Sequence, residues 1–446
     1  MAKPMKRSLR DAGFPSTKIK VFVLSVFFLC GFVKMAVHDS ILAGAEDILE
    51  NTNYSTGWIS AMVNIPYMFA VVVVQFLHHR LKNIYQIWFG CLAMILGSIG
   101  VGFLPDTTLQ IAAVCFTGIG VACVELAMIA LTIKYPDGVV QSFVIGEASG
   151  RLLTPIIYTV LTSHLCIKPS FVFTVISLSS IILPLQDYLL TSSLFDASKS
   201  AQYQMSKEKQ PLCDDESLDK NSLSDEETID DDDPKVQDIK SSSLFVDLCL
   251  FYQSFSRFYA AFLGFAFMTL YSQSFITTIV FSNSPFKPRE HYQYYLMALW
   301  SGAFAERAFG FLFDCCGKIT KLLFSINTVS YFHIVFNLCT TTVMFVALWC
   351  RNMPNVWVIL LLCFISGILA GVGYLISLSP VSEKERHIEF TRMMAVTIKG
   401  SACVVAALIS IPLESLIRQR CFEVTHTSQY CIARYIGIGK KPCYST

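Results

Sequence analysis

Five ionisable side chains lie deep in apolar sequence: Glu125, Glu147, Arg151, Arg307 and Lys399. A charge at membrane depth costs about 2.5–3.5 kcal/mol even on permissive insertion scales, so each needs a partner or a task. Glu125 follows Gly118 and Gly120, which permit close neighbouring helices. It either takes up a proton from one side of the membrane or is a buried carboxylate bonded to an adjacent helix. Glu147 and Arg151 are four apart and share a helix face. They form either an intrahelical ion pair that lowers the insertion cost, or a coupled site in which Arg151 binds an anion as Glu147 releases it. The planar fork of Arg307 suits phosphate or carboxylate, although its position also allows it to snorkel. Lys34 and Lys399 are expected near span ends, snorkelling, and Glu306 points about 100° away from Arg307. Together Glu125, Glu147, Arg151, Arg307 and Lys399 are the candidate substrate and proton pathway. Tyr292, Tyr294, Tyr295 and Trp300 read as an interfacial belt, with a choline- or sugar-stacking surface as the alternative.

Other chemistries have little support. The sixteen Cys mostly sit singly in apolar runs, where they act as small hydrophobes. No Cys-x-x-Cys pair or Cys/His cluster has metal spacing, and no metal or cofactor is expected. There is no Walker loop, Gly-x-Ser-x-Gly elbow or His-Glu-x-x-His, so an enzyme is not expected. Basic residues are dispersed over loops, which argues against nucleic acid. Asn53-Tyr54-Ser55 is a glycosylation sequon at Asn53. Cys443-Tyr444-Ser445-Thr446 is a literal prenylation ending, and Cys315-Cys316 beside a span end are candidates for palmitoylation.

The elements that must position these groups are membrane helices. A chain of 446 residues with 54% hydrophobic and 15% charged residues and a mean hydropathy of +0.54 is too apolar for an ordinary soluble protein. The sequence divides into a basic cytosolic N-terminus (1–18), a first membrane half (19–191), an acidic loop (192–243), a second half (244–417) and a basic Cys-containing tail (418–446). The loop contains Asp230-Asp231-Asp232-Asp233 and almost no aromatic residues, so it is expected to be disordered. Spans are expected at 19–37, 58–77, 84–104, 109–133, 139–161 and 170–190, then at 257–281, 292–313, 323–348, 356–378 and 393–417. Lys3, Lys6, Arg7 and Arg10 place the N-terminus in the cytosol. Eleven spans then give a luminal C-terminus, whereas Arg418, Arg420, Arg434, Lys440 and the prenylation ending argue for a cytosolic one. Two all-α halves joined by a polar loop are the plan of a secondary transporter.

Gly118-Ile119-Gly120 with Glu125 and Tyr135-Pro136, Tyr292-x-x-Tyr295 with Gly302, Phe304, Ala305 and Arg307, and Gly367 with Gly371 and Tyr374 follow one another along the chain. In order and spacing these stretches resemble the battenin family of lysosomal membrane proteins. Glu389-Phe390, Pro412-Leu413 and Ala45-Glu46-Asp47-Ile48-Leu49 extend the likeness. Gln210-Pro211-Leu212 resembles the family's sorting segment, which makes Glu208 and Leu212 candidate sorting residues, although Cys213 replaces an aliphatic position. Glu46, Glu147, Arg151 and Lys399 also depart from the family pattern. The resemblance implies a major-facilitator-like polytopic protein of about six plus five or six spans, in lysosomal and late-endosomal membranes. It also implies a role in clearing glycerophosphodiesters, with links to basic amino acids and luminal pH. The expected partners are the bilayer, a small anionic or zwitterionic solute, and protons. The alternatives are a non-transporting scaffold that recruits trafficking partners through the acidic loop, and a basic amino-acid carrier.

Overall fold

A computed structural model describes residues 17–49, 52, 54–77, 81–132, 135, 138–186, 238–281, 284–285, 288–315, 326–352, 355–378, 385–426 and 431. These residues form eleven long helices: α1 (Thr17–Ala43), α2 (Thr56–Leu77), α3 (Asn83–Phe103), α4 (Thr107–Thr132), α5 (Val139–Thr159), α6 (Pro169–Leu178), α7 (Asp238–Leu270), α8 (Pro288–Cys315), α9 (Ile326–Cys350), α10 (Val356–Leu378) and α11 (Glu385–Thr425). Nine of them, all but α5 and α8, are long and apolar enough to cross a membrane, α6 by running on to Gln186. The two exceptions carry Glu147, Arg151, Glu306 and Arg307. Phe69, Phe76, Trp88 and Phe332 are more than half exposed on the outside of the bundle. Outward apolar surface on helices with internally satisfied backbones is what a lipid solvent selects.

The helices fall into two halves with the same internal pairing. In the first, α1 packs on α5 and α2 on α4; in the second, α7 packs on α11 and α8 on α10. The halves meet where α2 packs on α11 and α5 on α8. The matching pairs give the two halves similar internal packing. Small residues allow the close approach. A Cβ at Gly146 would strike the Phe28 carbonyl oxygen and one at Gly302 the Phe364 carbonyl oxygen, so the α1–α5 and α8–α10 backbones nearly touch.

Several boundaries differ from the hydropathy reading. Helix α1 does not stop at Val37 but continues through His38, Asp39 and Ser40, all buried. Helix α7 begins at Asp238, inside the stretch expected to be loop, and α11 begins at Glu385 rather than Met393. Cys421 and Cys431 form a disulfide and Cys166 is disulfide-bonded, so not every cysteine outside the apolar runs is a lone thiol. Cys315 ends α8. Asn53, Glu208, Leu212, Cys213, Cys316, Cys443 and residues 192–237 lie outside the described residues.

Candidate functional site

The buried charges come together between the halves. Lys34 of α1 donates to Glu125 Oε2 of α4 at 2.8 Å and also pairs with Glu147 of α5. From the other half, Lys399 of α11 pairs with Glu125 and lies 4.0 Å from Glu147 Oε1. Tyr67 of α2 donates its hydroxyl to Glu125 Oε2 at 3.0 Å. Two ammonium groups and two carboxylates thus alternate across four helices, each at most 5% exposed. An uncompensated charge here would cost several kcal/mol, and the alternation sets an opposite charge against each one.

The guanidinium groups are held less completely. Arg151 lies with Nε 3.8 Å from Asp39 Oδ2 and its plane 4.9 Å from the Trp300 ring of α8. Arg307, 3% exposed, donates Nη1 to the Val144 carbonyl at 3.3 Å and lies 5.4 Å from the Tyr374 ring of α10. Lys399 lies 5.3 Å from the same ring. Among the described residues, Nε of Arg151 and Nε of Arg307 are both buried without a hydrogen-bond acceptor. A cavity lies beside Arg151, lined also by Lys399, Glu125, His38, Tyr67 and Trp300, with residues of both halves in its wall; Arg307 and Glu147 are buried behind that wall rather than in it.

This arrangement changes several sequence expectations. Lys34 and Lys399 do not snorkel; they are 0% and 5% exposed, because α1 and α11 extend well past them on the side where the spans were expected to end. The four-residue spacing of Glu147 and Arg151 does not produce an ion pair. Glu147 turns to Lys34 and Arg151 to Asp39, since partners on adjacent helices approach more directly. Arg307 is buried against α5 rather than reaching for a surface. Tyr292, Tyr295 and Trp300 are buried too, leaving Tyr294 as the exposed member of the expected belt. Glu306 does lie apart from Arg307: among the described residues no ion pair joins them, and its Oε2 rests against Gly371 without a hydrogen bond. Asp39 and His38 were missed because they follow the apolar run and read as loop. The signal available was their adjacency to a helix already carrying Lys34.

Polar bridges join the halves above and below this centre. Toward one face, Ser55 and Thr56 at the start of α2 donate to Glu414 of α11, the latter at 3.2 Å. Toward the other, Gln75 donates to Thr397 Oγ1 at 2.7 Å and Arg392 to Thr132 Oγ1 at 3.2 Å.

Residues 25–420 match the family described as CLN3 protein. The chain belongs to that family, the battenin family. Among curated proteins none matches it. Solved structures show the fold. A bacterial homolog to human lysosomal transporter Spinster, inward-facing and unoccupied, aligns with 92% of this chain and 86% of its own, at 12% identity and a TM-score of 0.55. A POT family transporter in complex with 5-aminolevulinic acid aligns over 90% and 96%, at 10% identity and a TM-score of 0.51. The peptide transporter POT in complex with sulfate aligns over 91% and 95%, at 10% identity and a TM-score of 0.51. This battenin-family chain therefore shares its multi-helical fold with those transporters, and its buried charges lie at the seam between the two halves of that fold.

Proposed function

We propose that the protein is a carrier that moves a small anionic or zwitterionic metabolite out of lysosomes and late endosomes, the glycerophosphodiesters being the class its family resemblance suggests. The observation that carries this reading is the buried guanidinium of Arg151 in the cavity wall, whose Nε has no acceptor among the described residues, with a second such guanidinium, Arg307, buried on α8. A phosphodiester or carboxylate entering the cavity would supply oxygens to Arg151, and Arg307 would join it once the halves move. The carboxylates are placed differently. Glu125 and Glu147 are engaged by Lys34 and Lys399, which favours an anionic or zwitterionic solute over a basic amino acid. Rocking of the halves about the charged centre would expose it to each face in turn, breaking first the Glu414 bridges and then those of Gln75 and Arg392. Recruitment of trafficking partners through the acidic loop is compatible with this activity. It would make deletion of residues 214–233 costly for partners and not for transport.

The test is uptake of radiolabelled glycerophosphodiester by vesicles containing wild type or Arg307→Ala. Loss of one buried charge-assisted contact of about 2–3 kcal/mol predicts uptake lower by roughly 30- to 150-fold. Equal uptake by the variant removes Arg307 from the site, and wild-type vesicles that take up no such anion remove the substrate class.

A further inference from the structure

One turn past Lys34, α1 carries a pair of groups that the charged centre does not use. His38 lines the cavity and is 9% exposed; Asp39 is 1% exposed. The His38 Nδ1 lies 2.6 Å from Asp39 Oδ1. The other carboxylate oxygen, Oδ2, is the one facing Arg151 Nε at 3.8 Å, and among the described residues neither of those two atoms has a hydrogen-bond partner. A single carboxylate is thus shared between an imidazole that holds it closely and a guanidinium that holds it loosely.

We propose that His38 is a proton-binding site whose charge is passed through Asp39 to Arg151, so that a proton taken up at His38 strengthens anion binding at Arg151. The inference rests on the anion-carrier reading. When His38 is neutral, the full charge of Asp39 competes with any incoming anion for the guanidinium. When His38 gains a proton, imidazolium and carboxylate form a charge-assisted pair, the competition falls, and the local charge rises by one. Unperturbed histidine changes charge between about pH 5 and 8, the interval separating an acidic organelle from the cytosol. Linkage is reciprocal: an anion on Arg151 holds the proton on His38 by the same factor, so the two leave together on the less acidic side.

The other titratable groups facing the pair are accounted for. They are Glu147 and Arg151 from α5, Glu125 from α4, Tyr67 from α2, and Lys399 and Cys403 from α11. Glu125, Glu147 and Lys399 are engaged with one another and with Lys34, and Tyr67 donates to Glu125. Asp39 is the carboxylate that joins a cavity-lining imidazole to a guanidinium.

Two readouts on the full chain in lipid nanodiscs and vesicles test this. In the first, the tryptophan emission lost in Trp300→Phe is titrated from about pH 8 to pH 5 without any solute, because Arg151 rests on the Trp300 ring. One transition is expected in wild type and none in His38→Gln or Asp39→Asn. A transition that persists in His38→Gln, or its absence from wild type, overturns the proposal; should His38→Gln fail to fold, Asp39→Asn decides alone. In the second, uptake of radiolabelled glycerophosphodiester is expected to be about 10-fold higher at pH 5 than at pH 7.5 in wild type and equal at the two in both variants. A wild-type ratio in a folded variant overturns the coupling. An emission transition without uptake by wild type sinks the carrier reading while leaving the proton site in place.

Discussion

At the scale of single residues, the four-charge centre is held together by mutual compensation. Lys34 contacts both Glu125 and Glu147, and among the described residues no other cationic group does so at less than 4.0 Å. Replacing it with Met leaves two carboxylates sharing Lys399 alone. The expected cost is about 3–5 kcal/mol, read as a lower melting temperature of the purified protein. The double variant Lys34→Met with Glu147→Gln should recover part of that loss, because it removes the carboxylate with the poorer remaining partner. If the double variant is as unstable as the sum of the singles, the two groups do not act as a unit. Arg307 differs, since its nearest acceptor is a backbone carbonyl. Arg307→Lys keeps the charge but not the planar fork and should therefore restore little of the uptake lost in Arg307→Ala.

At the scale of helices, glycine determines how near these charges can come. The carbonyl of Phe364 occupies the space a side chain at Gly302 would need, and that of Leu299 does the same at Gly367. Gly302→Ala should push α8 from α10 and lower stability by about 1–3 kcal/mol, while Ser301→Ala, half-buried on the next position, should change the melting temperature little. The existence of these helices was legible in the sequence, because long apolar runs have one reading in lipid. So was the burial of Glu125, Glu147 and Arg151, whereas Arg307 read equally well as a snorkelling residue. Their partners were not. Spacing along a helix reports neighbours on the same helix, and it suggested Glu147 with Arg151; the structure joins each to α1 instead. Hydropathy also ended the first span at Val37, since His38 and Asp39 are polar. Burial against neighbouring helices keeps that turn helical, and with it Lys34 moves from a span edge to the middle of α1.

At the scale of the whole molecule, the eleven long helices of the described residues, if each crosses once, put the start of α1 and the end of α11 on opposite faces. Counting eleven helices, the loops after α1, α5 and α11 share a face, opposite the basic N-terminal segment. Two of those three places carry disulfide-bonded cysteine, Cys166 after α5 and the Cys421–Cys431 pair at the end of α11, and the third contains the Asn53 sequon. Disulfides persist in oxidising compartments, and the same face would carry N-linked sugar, so three local signals agree with the count. They favour a luminal tail over the cytosolic one that its basic residues suggest, in line with the usual dominance of the first helix. The expected arrangement is a cytosolic N-terminus and a luminal tail, which keeps Cys443 away from cytosolic prenylation. A tag after Thr446 should resist protease added to intact organelles and become sensitive once detergent opens them, and mass spectrometry of the tail should show Cys443 without a prenyl group. A tag digested in sealed organelles would mean that a further crossing follows α11, and the disulfides would then lose their physical explanation.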